Sequence, residues 1–110
     1  KDVPEPQRPL VPAKSTPFGR DKWTHVAFTW ERFNTDKKDG VATLYLNGKK
    51  EGSVTGWNQQ FSWSGKPHRI LIGLNYMGLF DDLACFNRAL SAKEIKRIHA
   101  HQAALPKLLK

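Results

Sequence analysis

Apolar and polar positions alternate most clearly between Trp23 and Val54, in WTHVAFTWERFNTDKKDGVATLYLNGKKEGSV. A period of two reads as β-strand, because successive side chains point to opposite faces. Trp23 to Trp30 is the first predicted strand. Val26, Phe28 and Trp30 share one face; Trp23, His25, Ala27 and Thr29 share the other. Both faces are mostly apolar, which predicts a central strand. A polar loop from Phe33 to Gly40 follows, with Asp39-Gly40 as its turn signal. Val41 to Asn47 is the second strand, with Ala42, Leu44 and Leu46 expected inward and Thr43, Tyr45 and Asn47 outward. Asn47-Gly48 then predicts a type I′ hairpin turn, which needs positive φ at both central residues. Lys49 to Val54 returns as a short, charged edge strand.

The pattern then changes. GWNQQFSWSG, residues 56–65, is rich in aromatics and amides; Trp57, Phe61 and Trp63 either prolong a strand or line a surface. Arg69 to Leu74 reads as a strand, and Gly73 within it marks a close approach or a bulge. Asn75 to Gly78 reads as a turn and Leu79 to Phe86 as a last strand, apolar except for Asp81 and Asp82. Ser91 and Glu94 are spaced as a capping box. They predict a helix with Ile95 and Ile98 on its apolar edge, running to about Ala104 before Pro106.

Composition adds further constraints. Five of the seven prolines lie in residues 1–22, which therefore read as a linker or long loop rather than a central strand. The net charge is +8, and half of that excess lies in residues 93–110. A basic stripe on the folded body would be the signature of a nucleic-acid surface, so nucleic acid is not the expected partner. Hydrophobic residues make up 39% and charged residues 25%, as in an ordinary globular domain. No apolar run approaches the about 20 residues that span a bilayer. The one cysteine, Cys85, excludes an intrachain disulfide and reads as a small buried hydrophobe rather than a reactive thiol.

The ordered series WTHVAFTW, LYLNGKK, HRILIGLN and GLFDDLACFNRALSAKEIKRI, across residues 23–99, resembles the laminin-G-like jelly-roll domains of the concanavalin A-like lectin/glucanase superfamily. The resemblance implies an all-β, antiparallel β-sandwich with a short C-terminal helix. It places the domain portion at 23–104, after the Pro-rich segment 1–22 and before a basic tail at 105–110. Family members carry several strands ahead of the position of Trp23, where this chain has only the Pro-rich segment. The sandwich is therefore expected to be incomplete, and a complementing N-terminal half or a homo-oligomer is the expected partner. The resemblance also implies an extracellular or cell-envelope location.

Three groups of residues could carry chemistry. Trp57, Trp63, Tyr76 and Tyr45 could stack on sugar rings, with Asn58, Gln59, Gln60 and Asn75 bonding to hydroxyls. The carbohydrate site expected from these is Trp57, Asn58, Trp63, Asn75 and Tyr76, set against a plain packing role for the two tryptophans. Asp81 and Asp82 in an apolar strand would need partners, because a buried charge is costly. They are read either as a calcium site built from Asp81, Asn75 and backbone carbonyls, or as one carboxylate that accepts backbone amides or pairs with Arg69 or Arg88 and a second that is solvated. The resemblance implies the first for Asp81. His25, His68, His99 and His101 are not spaced as a ligand set, and His25 is expected to be packed and hydrogen-bonded. The glucanase branch uses Glu-x-Asp-x-x-Glu on one strand, a pattern missing here, and the chain is expected to be non-catalytic. Two functions follow: a carbohydrate- or glycan-binding or adhesion module of a larger protein, or a structural, protein-interaction domain with no small ligand.

Overall fold

The computed structural model describes residues 11–60, 72–73 and 76–101. Among them, three strands form one antiparallel sheet in the order β1-β2-β3: β1 is Val26–Glu31, β2 is Gly40–Leu46 and β3 is Lys49–Trp57. One helix, α1, spans Ala92–Ala100. This is an antiparallel β fold with one short helix, as the alternation and the capping box predict.

The hairpin between β2 and β3 forms where the dipeptide predicts it. Asn47 has φ 50° and Gly48 φ 77°, the positive pair that a type I′ turn demands. Asn47 also ties the turn to the start of β1. Its N–H donates to the His25 carbonyl at 2.8 Å, and its Oδ1 accepts from the His25 N–H at 2.9 Å. The β1–β2 ladder thus extends one rung beyond the Val26–Leu46 pair.

Burial corrects the expected facing. Thr43 and Tyr45, expected outward, are buried at 7% and 8% exposure, opposite Thr29 and Ala27. Leu46, expected inward, is buried at 4%, whereas Val26, Phe28 and Trp30, on a strand expected to be covered on both faces, are about half exposed. Both faces of these strands are apolar, so alternation alone could not say which one is covered. β1 is also an edge of the described sheet, and β2 is its centre.

β3 is longer than expected, and two register shifts bend it. Leu44 pairs with Gly52 and Tyr45 with Lys50, which leaves Glu51 as an extra residue. A bulge re-aims the side chain it carries. Here the Glu51 carboxylate accepts bonds from the Lys14 N–H (3.0 Å), the Ser15 N–H (3.2 Å) and the Ser15 hydroxyl (3.0 Å). The described end of the proline-rich segment is therefore clasped to β3 at Lys14 and Ser15.

The capping box is present. The Glu94 N–H donates to Ser91 Oγ at 3.2 Å, and the Ser91 N–H donates to Glu94 Oε2 at 2.9 Å. Arg88 adds a fork to the same carboxylate at 2.9 and 3.0 Å. The Arg88 bond and then the Ser91 backbone bond hold the Glu94 carboxyl below its ordinary range. Ile95 is buried, at 1% exposure, and anchors the helix. The expected run to about Ala104 is cut short. His101 closes the helix at φ −123°, donating its N–H to the Arg97 and Ile98 carbonyls.

The remaining expectations fare differently. Leu79 to Phe86 is not a strand, and most of its side chains are exposed. A strand needs a partner ladder for its backbone groups, and no described segment supplies one. Cys85 is correspondingly exposed, not a buried hydrophobe. Most of the expected Arg69–Leu74 strand, with Phe61, Trp63, His68, Asn75 and the tail 105–110, lies outside the described residues. Ile72 and Gly73, the described part of that strand, are not in strand geometry.

Candidate ligand-binding site

The second register shift builds the site. Gly40 pairs with Trp57 but Val41 pairs with Thr55, so Gly56 is the extra residue, at φ 76°. Val54 and Trp57 are an odd number of residues apart, and in a regular strand they would point to opposite faces. The bulge at Gly56 brings both to the face that carries Phe28 and Ala42. Opposite Trp57, Gly40 must be glycine. A Cβ there would lie 2.7 Å from the Trp57 carbonyl oxygen and 3.2 Å from the Phe33 ring.

The result is an open apolar pocket of about 210 Å³. Phe28, Phe33, Ala42, Val54 and Trp57 line it, with Gln59 at its mouth. Gln59 is the one polar side chain of the lining, and a set of hydrogen bonds joins its neighbours. The Asn34 N–H donates to the Gln59 carbonyl at 2.8 Å, which pins the β1–β2 loop to the chain leaving β3. Asn58 Nδ2 donates to Asp36 Oδ1 at 3.4 Å, and Gln60 Nε2 donates to Asn58 Oδ1 at 2.9 Å. Arg32, Asn34 and Asp36 all take positive φ, which folds the loop back over this end of the sheet. An apolar floor with the Gln59 amide in its lining suits a ligand with one greasy face and hydroxyls beside it.

Trp57 and Asn58 are brought together here. Tyr76 packs instead in a separate aromatic cluster, with ring centroids 5.1 Å from Phe80 and 6.2 Å from Phe18. Phe28 and Phe33 were missed as site residues. The available signal was Gly56, since an isolated glycine in a strand pattern announces a bulge.

Asp81 and Asp82 are exposed, so the buried-charge premise behind their candidacy does not hold. Asp81 Oδ1 accepts from the Asp82 N–H at 2.9 Å, and Asp82 has φ 55°. Among the described residues, no three His, Cys, Asp or Glu side chains converge as a metal-binding group. Of the two arginines suggested as partners for these aspartates, Arg88 is engaged by Glu94 and Arg69 lies outside the described residues.

No helix among the described residues is long and apolar enough to cross a membrane. No curated protein matches the chain. One similar solved structure is that of an S-layer domain-containing protein, residues 221–444, from Clostridium thermocellum ATCC 27405. It is 28% identical with a TM-score of 0.49, and the match covers 77% of this chain but only 42% of that one. The family described as the concanavalin A-like lectin/glucanases superfamily matches residues 7–96 in its laminin G form.

Proposed function

The chain belongs to the concanavalin A-like lectin/glucanases superfamily, and from that premise we propose that it is a non-catalytic, glycan-binding module of a larger extracellular or envelope protein. The pocket between Trp57, Phe28 and Phe33 carries this reading. The faces of Trp57 and Phe33 offer a rigid apolar platform for a sugar ring, and Asn58 and Gln59 offer donors and acceptors to its hydroxyls. Calcium, held by Asp81 with Asn75, would be an accessory of this reading and not its basis.

Intrinsic tryptophan fluorescence against neutral and acidic polysaccharides, with and without calcium, tests the proposal. Quenching by one glycan class is expected. Trp57→Ala should then weaken retention in affinity electrophoresis at least several-fold, since an aromatic contact contributes about 0.5–1.5 kcal/mol beyond its burial. That second method does not rely on the residue removed. Silence across the whole panel rejects the glycan reading.

One observation favours the second reading, a protein-interaction domain. Met77, Leu79, Phe80 and Leu83 are 97%, 79%, 63% and 75% exposed. So much apolar surface in one stretch is characteristic of an interface. Its occupant would be a complementing N-terminal half or a second copy, and sedimentation of a cooperative, non-associating monomer would count against both.

A further inference from the structure

Three elements meet at the Asn47-Gly48 turn: the start of β1, the turn itself and the helix α1. His25 is bound to Asn47 through both of its backbone groups. Gly48 lies directly under the helix, where a Cβ would be 3.3 Å from His99 Nδ1 and 3.4 Å from the Lys96 Cα. The His25 and His99 rings close the junction, with centroids 5.8 Å apart and planes at 46°. His25 Nδ1 is buried and has no hydrogen-bond partner among the described residues. Sequence reading expected a satisfied histidine here, and the side chain departs from it.

Among the described residues, no carboxylate forms an ion pair or hydrogen bond with either ring. The helix contributes Lys96, Arg97 and His99, the strand after the turn contributes Lys49 and Lys50, and the chain ahead of His25 contributes Lys22. The carboxylates of the same elements are engaged elsewhere: Glu51 bonds to Lys14 and Ser15, and Glu94 to Arg88. Asp21 stands four residues ahead of His25, at a turn. Burial, and then His99, lowers the His25 pKa. The docked junction therefore binds fewer protons than the undocked one. Its stability is full above the ordinary histidine value of about 6.5 and erodes as the pH falls below it.

We propose that the His25–His99 contact is an acid-sensitive latch: protonation of His25 against His99 releases α1 from the Asn47-Gly48 turn and leaves the three-stranded sheet in place. The latch is independent of any glycan in the Trp57 pocket, which lies at the other end of the β2–β3 hairpin.

Amide hydrogen exchange on the full chain at pH 7.5 and pH 5.0, corrected for the intrinsic pH dependence of exchange, tests this. Protection of α1, at Ile95 and His101, should fall about tenfold for each unit that separates the docked and undocked His25 values. Protection of β2 should hold. The lower pH stays above the ordinary glutamate range, so the Glu94 cap remains charged. In His99→Gln the fall should be smaller, because one of the two depressing influences on His25 is gone. Equal loss in α1 and β2, or no loss in the unmodified chain, overturns the latch. So does a His99→Gln variant whose pH response is undiminished. If that variant does not fold, the comparison of α1 with β2 in the unmodified chain decides alone.

Discussion

The corner where β2, β3 and α1 meet and the stretch from Tyr76 to Phe86 both carry large apolar side chains, yet they behave oppositely. At the corner Leu46 and Ile95 are buried, at 4% and 1% exposure, and the backbone groups of the turn and the helix cap are bonded. In the other stretch Met77, Leu79, Phe80 and Leu83 stand in solvent, with no ladder along them among the described residues. The difference lies in the range of the interactions each needs. A type I′ turn and a capping box satisfy their own polar groups within a few residues. A strand satisfies its groups only through another strand.

That contrast can be broken from its firm side first. Ile95→Ala should be the most damaging substitution, costing about 2–5 kcal/mol in urea unfolding, because it empties a buried site beneath the helix. An effect below about 1 kcal/mol would mean that α1 contributes little to holding the corner. Ser91→Ala should cost about 1 kcal/mol by removing the cap acceptor for the Glu94 N–H. Circular dichroism should show the loss in the helix signal. The Glu94 carboxyl also gives this cap an acid limit. Its contribution is complete above the ordinary glutamate range and disappears as the pH falls through the lowered value. The exposure of Arg88 and Glu94 keeps the ion pair's share small. On the loose side, Leu83→Ser should change stability by no more than about 0.5 kcal/mol, since the side chain is 75% exposed. A large loss there would show that Leu83 is covered in solution, and would place an associated copy over this stretch.

The same division explains what could be read in advance. The hairpin at Asn47-Gly48 and the cap at Ser91 were legible because each is written in two or four adjacent residues. The three strands between Trp23 and Trp57 were legible from alternation, with ends displaced by a few residues. Their covered face was not, because Phe28 and Trp30 on one side compete with Tyr45 and Ala27 on the other. Leu79 to Phe86 has the pattern of a strand but lacks a described partner, and pattern carries no information about partners. Of the candidate site, Trp57 and Asn58 were anticipated. Their joining with Phe28 and Phe33 depends on one extra residue, Gly56, which inverts the facing of everything after it.

The clasp made by Glu51 has a consequence for how this sheet can grow. A new ribbon arriving at Lys50–Ser53 would have to dislodge Lys14 and Ser15 and forfeit three hydrogen bonds before making its first. At Val26–Glu31 it would meet no described segment already seated there. Among the described residues the sheet is thus guarded along one margin and unoccupied along the other, which gives recruitment of further strands a direction.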